Sequence, residues 1–155
     1  MTPAINLLKK KKIPYVLHQY QHDPSVQSYG KEAAEALGVD ANRIYKTLVV
    51  ILADKTLAVT IIPVNQTMNF KKVAKAFKSK KAQMAATDDV LRSTGYVLGG
   101  VSPLGQKKKL KTVIDESSHT FESIYVSAGQ RGLEVELSPL ILAELTQSSF
   151  VAICQ

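Results

Sequence analysis

The chain has no tryptophan, a single cysteine among 155 residues, and no apolar run longer than the stretch from Leu48 to Ala53. One cysteine excludes an internal disulfide and fits a reducing cytoplasm. The apolar run is too short to span a bilayer, and the first residues lack the apolar core of a signal peptide. We therefore expect a cytoplasmic protein without a membrane segment, long enough for one domain with a substantial core.

Acidic residues are fewer than basic ones, 13 against 20, so the formal net charge is +7. The lysines are grouped at residues 9–12, 71–81 and 107–111. This distribution favours a polyanionic partner such as nucleic acid. A generally basic, solvated surface would give the same composition and remains an alternative.

Groups that usually hold metals or attack substrates are also scarce. His18 and His22 would face one way, but no acidic or thiol group has ligand spacing near them, and His119 lies in a polar turn. We expect no metal and no cofactor. No Ser/His/Asp triad or well-spaced carboxylate pair is visible, so any catalysis would come from positioning and backbone donors.

Hydrophobic periodicity predicts an α+β fold. The strongest strand is 44–53, which is apolar on both faces and therefore central and buried. Ser28 and Thr87 are predicted to cap helices that stop at Gly38 and Gly95. Strands joined by hairpins and interrupted by helices indicate a single domain with a curved, mixed sheet. The predicted helices are 2–12, 28–37, 69–78, 88–92 and 138–146, and the predicted strands are 15–22, 44–53, 56–63, 82–85, 110–115, 123–127, 133–137 and 150–154.

The segment Ser93–Gln106, which we call the glycine-rich loop, holds four of the eight glycines and is followed by three lysines. Paired glycines allow close backbone approach, and Pro103 biases Ser102 toward extended conformations, which together indicate a shaped ligand pocket. A bulged strand followed by a tight turn is the alternative. The spacing is one residue too long for a nucleophile elbow, and the lysine is displaced from its P-loop position, so neither enzyme class is predicted here.

Lys46 is the most informative single residue, because it shares a strand face with apolar Ile44 and Leu48. A partly buried ammonium needs an anionic or carbonyl partner, and a phosphate would serve. A lysine at the strand end that reaches water is the alternative. The backbone amides of Gly99–Ser102 and Ser127–Gly129 are candidate donors to a substrate carbonyl, although hairpin geometry alone would explain the second group.

Three segments in order, Tyr45–Val49, Thr94–Gly105 and Val126–Gly132, resemble the YbaK family. That family comprises free-standing aminoacyl-tRNA editing proteins related to the editing insertion of bacterial prolyl-tRNA synthetase. The resemblance covers nearly the whole chain, so residues 1–155 are expected to form one editing domain. It implies a barrel-like mixed sheet with helices packed around it, and deacylation of Cys-tRNA(Pro) and to some extent Cys-tRNA(Cys).

The resemblance also implies a pocket for the aminoacylated 3′ adenosine. Lys46 would hold the terminal phosphate or orient the 3′ end, and the loop would contact the aminoacyl carbonyl and ribose. The residues expected to take part in catalysis are Lys46, Gly99, Gly100, Val101 and Ser102. Those expected to bind substrate, less securely matched, are Tyr20, Tyr29, Ser127 and Gly129.

The implied chemistry needs no protein nucleophile, because the cysteinyl thiol can attack its own ester and leave as a thiolactone. Prolyl-tRNA synthetase, in a complex on the tRNA, would supply the choice of tRNA(Pro). Two alternatives stay open: a non-enzymatic tRNA-binding module, and editing of another ester such as Ala-tRNA(Pro). The lysines expected to bind the tRNA backbone weakly are Lys71, Lys72, Lys75 and Lys78.

Overall fold

A computed structural model describes residues 1–26 and 28–155. The helices are α1 (Pro3–Lys10), α2 (Tyr29–Leu37), α3 (Phe70–Ala76), α4 (Thr87–Thr94) and α5 (Pro139–Thr146). The strands are β1 (Val16–Gln19), β2 (Tyr45–Leu52), β3 (Leu57–Pro63), β4 (Ala82–Met84), β5 (Lys111–Asp115), β6 (Ile124–Gln130), β7 (Leu133–Leu137) and β8 (Ser149–Val151). Short 3₁₀ helices occupy Ala41–Arg43 and Glu116–Thr120. None of the helices in these ranges has the length and apolar character to cross a membrane.

The strands form two sheets. One has the order β1-β7-β6 and is antiparallel, and the other has the order β4-β2-β3-β5-β8 and is mixed, since β3, β5 and β8 run parallel. A parallel bridge between Ile44 and Tyr125 joins the two sheets where β2 begins. The predicted α+β class, with a mixed barrel-like sheet and helices around it, is confirmed, although the sheets do not close.

The β2 strand is buried on both faces, as its sequence predicts. Val49 packs into the main core with Ile5 of α1, whereas Val50 packs into a second core with Val73 of α3. Successive side chains of a strand point to opposite faces, so one strand contributes to both cores. The N-terminus of α1 is held by the Thr2 hydroxyl, which accepts from the Ile5 amide and donates to the Ala128 carbonyl.

Predicted boundaries were wrong at several elements, and four of these errors concern β1, β6, β8 and α4. The β1 strand ends at Gln19 rather than residue 22, and the Tyr20 amide then donates to the Gly132 carbonyl. The β6 strand continues past Ser127 to Gln130 through an irregular register, because Gly129 adopts φ +111° within it.

The third and fourth errors lie at a chain end and a helix start. The last strand is Ser149–Val151, after which Asp115 accepts the Ile153 amide and draws the chain out of the sheet. The N-cap of α4 is Ala86, so Thr87 is its first helical residue rather than its cap. Ser28 does occupy the N-cap of α2, but its side chain makes no capping hydrogen bond.

Candidate active site

A cavity of about 300 Å³ opens where the two sheets meet. This volume is at the lower end of the range for small-molecule sites. Its walls come from the first residues of β2, the glycine-rich loop, the start of α2, and the facing strands β6 and β7. Segments distant in sequence therefore meet at one site, and the residues that line it are Tyr20, Ser28, Tyr29, Gly30, Ile44, Tyr45, Lys46, Thr47, Leu48, Val64, Leu98, Gly99, Val101, Ser127 and Glu134.

Lys46 lies in the cavity wall between Ile44 and Leu48, as the strand alternation predicts. Burial lowers the pKa of its ammonium group, and within the described residues no carboxylate pairs with it. A half-buried cation without a protein partner is suited to bind an anionic group of a ligand.

The glycine-rich loop contributes residues with unpaired backbone amides to the cavity lining. The amide of Gly100 donates to the Val97 carbonyl at 3.0 Å, whereas the amides of Leu98, Gly99 and Val101 have no acceptor among the described residues. Leu98, Gly99 and Val101 all line the cavity. Unpaired amides at a cavity wall are the type of donors that stabilise a developing oxyanion.

Gly99 has a conformation that favours glycine and a position where a side chain would displace its neighbours. Its φ is +87°, and a Cβ there would lie 2.5 Å from Arg131 Nε and 2.7 Å from Tyr29 Cε2. The loop can therefore approach the Tyr29 wall closely only without a side chain.

Gly100 and Ser102, two other predicted catalytic positions, do not line the cavity. A Cβ on Gly100 would lie 2.9 Å from Gln130 Cα. Ser102 is fully buried, and its hydroxyl accepts the Leu104 amide at 3.2 Å. Both residues shape the loop, and their contact with substrate stays a prediction.

Ser127 and Gly129 are linked, although only Ser127 lines the cavity. The Gly129 amide donates to the Ser127 hydroxyl oxygen at 3.1 Å. The Ser127 O–H itself has no acceptor among the described residues. Gly129 acts here through Ser127 rather than by reaching the cavity itself.

Glu134 is the most important site residue that sequence reasoning missed. It lies directly opposite Ser127 in the β6–β7 pair, is 7% exposed, and has no hydrogen-bond or ion-pair partner in the described part of the chain. Burial raises its pKa to about 8. The pKa of Tyr20 is also raised, first by burial and then by the nearby Glu134.

The sequence pattern could not distinguish Glu134 from Glu136. Both alternate with the core residues of β7 and so share one face of the strand. Glu136 has hydrogen-bond partners in His18, Arg43 and Ser123. Its pKa is lowered, most by the Ser123 hydrogen bond and then by the bond to His18. Thr47 was missed as well: its hydroxyl is buried at the cavity without a partner among residues 1–26 and 28–155.

Arg131 connects the walls from outside the cavity. Its Nη2 donates to the Leu98 carbonyl at 3.2 Å, and its Nη1 lies 3.4 Å from His22 Nε2. The other ring nitrogen of His22 is 2.7 Å from a carboxylate oxygen of Glu32 on α2. The loop, the chain after β1 and α2 are thereby joined through one guanidinium.

The lysines predicted to bind the tRNA backbone are on α3 and its end, outside the cavity lining. Lys71, Lys72, Lys75 and Lys78 are all exposed. The ammonium of Lys72 donates to the Cys154 carbonyl at 3.0 Å. Among the described residues, no three His, Cys, Asp or Glu side chains are grouped to hold a metal ion.

Comparison with known proteins found a matching family model and several related chains. A family model described as "Aminoacyl-tRNA editing domain" matches residues 23–145. The Enterococcus faecalis protein named "Putative Cys-tRNA(Pro)/Cys-tRNA(Cys) deacylase EbsC" is 37% identical over 152 residues, which are 98% of this chain and 92% of that protein.

Two further similarities extend this comparison. The proline–tRNA ligase of Shouchella clausii is 32% identical over 122 residues, which are 70% of this chain but only 21% of the ligase. The crystal structure of "a putative trans-editing enzyme for prolyl tRNA synthetase" has a TM-score of 0.84 at 20% identity, covering 100% of this chain and 98% of that one, and so shares the fold.

Proposed function

The chain belongs to the aminoacyl-tRNA editing domain family, and we propose that it is a trans-editing deacylase that removes cysteine from Cys-tRNA(Pro). The observation that carries this proposal is the set of unpaired loop amides, which includes Gly99 and Val101, at a cavity that Lys46 and Glu134 also line. The described lining contains no histidine or cysteine to act as base or nucleophile. Such a site favours chemistry in which the substrate supplies its own nucleophile.

Each unpaired group matches one part of an aminoacyl ester on the 3′ end of tRNA. We assign the terminal phosphate to Lys46 and the ester carbonyl to the amides of Gly99 and Val101. We assign the α-ammonium to Glu134, because a buried carboxyl without a partner ionises readily when a cation binds beside it. The Ser127 hydroxyl is free to donate to the ribose or the ester.

In the proposed reaction the thiol of the cysteinyl group attacks its own ester carbonyl. A carbon–sulfur bond forms, the carbon–oxygen bond to the ribose breaks, and the thiol proton passes to the departing ribose oxygen. The products are a cysteine thiolactone and free tRNA. Holding the thiol near the carbonyl supplies about 7–11 kcal/mol in favourable cases. One oxyanion donor supplies about 3–4 kcal/mol.

The choice of amino acid follows from this route, because alanyl and prolyl esters have no thiol. The similarity to EbsC supports Cys-tRNA(Pro) and Cys-tRNA(Cys) as substrates. The similarity to part of proline–tRNA ligase supports the synthetase as the partner that selects tRNA(Pro).

The test compares ester loss from tRNA(Pro) carrying cysteine, S-methylcysteine or alanine, with mass analysis of the released product. We expect rapid loss of cysteine as the thiolactone, and loss of the other two at the uncatalysed rate. Equal rates for cysteine and S-methylcysteine would contradict the thiol route. Acceleration of the alanyl ester alone would reassign the substrate, and no acceleration of any ester would contradict the deacylase.

A further inference from the structure

A second cavity, of about 360 Å³, lies beside the same glycine-rich loop. It is lined by Leu7 of α1, by residues 103–110, and by the end of α5 at Leu145 and Thr146. The side chains of Lys107, Lys108 and Lys109 belong to its lining and are exposed. We call this feature the lysine groove.

The backbone of the lysine groove is fixed. The amides of Lys107 and Lys108 donate to the carbonyls of Thr94 and Ser93, at 3.1 and 2.9 Å, in the last turn of α4. The loop also lies against the start of α1, since a Cβ on Gly105 would be 2.7 Å from the Pro3 carbonyl. The three exposed ammonium groups therefore extend from an ordered surface.

A second lysine run reaches the same region from α1. Leu7 lines the groove, and Lys10 and Lys11 follow it by three and four residues. Residues at that spacing lie on one side of a helix. Two lysine runs from opposite halves of the chain are thereby brought toward one surface.

The positive charge of this surface is not neutralised within the described residues. The four salt bridges there involve histidine or arginine, and none involves a lysine. The groove lining contains no carboxylate. Lys111 does not belong to this group of lysines, because it lies near Asp54. Hydrogen bonds from Thr56 are the main cause of the lowered pKa of Asp54, and the charge of Lys111 adds to them.

The position of the groove identifies its partner. Val101 lines the active-site cavity and Pro103 lines the groove, so two residues of chain, about 7 Å, separate the two linings along the loop. We propose that the lysine groove binds the phosphate backbone of the tRNA whose 3′ end enters the cavity. This inference rests on the proposed function. Lysines that contact phosphates bind a nucleic acid irrespective of its base sequence, and this binding depends strongly on salt.

The first test measures binding of deacylated tRNA(Pro) by fluorescence anisotropy over a range of salt concentrations. The groove variant carries Lys107→Gln, Lys108→Gln and Lys109→Gln. The control variant carries Lys55→Gln, Lys80→Gln and Lys81→Gln, which remove the same charge from exposed positions around the β2–β3 turn and the start of β4. Thermal unfolding checks that both variants are folded.

We expect the groove variant to weaken binding by about tenfold or more and to flatten the slope of log K against log salt by about 2, since each phosphate contact contributes about 0.7–0.9. The control variant keeps the wild-type slope. Equal behaviour of the two variants overturns the inference and leaves an acidic protein surface as the alternative. If the groove variant does not fold, Lys10→Gln with Lys11→Gln at the end of α1 tests the same surface, with an expected flattening of about 1.5.

The second test separates this inference from the proposed function. It compares deacylation of full-length Cys-tRNA(Pro) with that of cysteinyl adenosine 5′-monophosphate, whose single phosphate is the one assigned to Lys46, so that no further phosphate is present to bind the groove. We expect the groove variant to raise KM for the full tRNA only, with kcat unchanged. Inactive wild type on both substrates would contradict the deacylase, while the binding test would still decide the groove. Active wild type with no difference between the variants would overturn the groove alone.

Discussion

The guanidinium carbon of Arg131 lies 3.7 Å from the centroid of the Tyr29 ring. The same guanidinium donates to the carbonyl of Leu98, and Tyr29 and Leu98 belong to different walls of the active-site cavity. A cation over an aromatic face contributes about 0.5–2 kcal/mol. Arg131 thus holds the start of α2 and the glycine-rich loop at a set separation from outside the cavity lining.

Replacing Arg131 should loosen this arrangement. We expect Arg131→Ala to lower the free energy of unfolding by about 1–3 kcal/mol, because it loses a charged hydrogen bond and the ring contact. We also expect kcat/KM for the cysteinyl ester to fall by about tenfold or more, since misplaced positioning groups act on the barrier. Chemical denaturation and ester-loss assays measure the two effects.

Guanidinium ion in the assay should partly restore the activity of Arg131→Ala. The activity of Arg131→Lys should stay low, because an ammonium group cannot stack flat on the Tyr29 ring while donating several hydrogen bonds in one plane. Arg92→Ala is the control, since the Arg92 side chain is 73% exposed and pairs within α4. Full activity in Arg131→Lys would contradict the positioning role.

Gly99 and Gly38 form a matched pair for testing the loop. Both have positive φ, +87° and +66°, but a Cβ on Gly38 would meet nothing within 4 Å. Gly38→Ala should therefore cost only the backbone strain, about 1 kcal/mol. Gly99→Ala should cost more and should also reduce deacylation, because its Cβ overlaps Arg131 and Tyr29. Denaturation and kinetics on both variants check this, and equal losses would refute the steric argument.

Glu134 should make stability fall as pH rises. Burial raises its pKa to about 8, against 4.5 for the free group. The folded state keeps the proton between these values while the unfolded state loses it. The free energy of unfolding therefore decreases over this window, by about 1.4 kcal/mol per pH unit from this group. We expect Glu134→Gln to lose this dependence and to be more stable than wild type at pH 8.5.

Glu136, on the same face of β7, is the control with the opposite sign. Its pKa is lowered, chiefly by the Ser123 hydrogen bond. Its contribution is present above pH 4.5 and is lost as pH falls through the folded pKa. Glu136→Gln should accordingly reduce stability at pH 7. Unfolding curves at several pH values decide both predictions, and a Glu134→Gln curve parallel to wild type would show that Glu134 is ionised in the fold.

Lys46 should lower the stability of the fold while it supports deacylation. Burial lowers its pKa, so the fold disfavours the ammonium, and wild-type stability should rise with pH from the folded pKa up to 10.5. We expect Lys46→Met to be at least as stable as wild type at pH 7 and to lose deacylation by about 100-fold or more. Lys55→Met, at the exposed β2–β3 turn, is the control. A stable Lys46→Met protein with wild-type kcat/KM would remove Lys46 from the mechanism.

Much of the fold and part of the site could be predicted from local patterns. The β2 strand is predicted to be central because both of its faces are apolar. Lys46 is predicted to be functional because it is a charged residue on one of these apolar faces. The boundaries failed where long-range contacts override local pattern, as at Tyr20, which bonds to Gly132, and at Ile153, which bonds to Asp115.

Local pattern is enough to predict the α+β class, Lys46 and the glycines of the loop, because backbone freedom and alternation are properties of neighbouring residues, and the three motifs are enough to predict the family. The burial of Glu134 and the pairing of Glu136 depend on tertiary packing, because alternation assigns a residue to a face but does not tell what covers that face. The same holds for the free amides of Gly99 and Val101, and for the two lysine runs at the groove. These features depend on how segments far apart in the chain pack together.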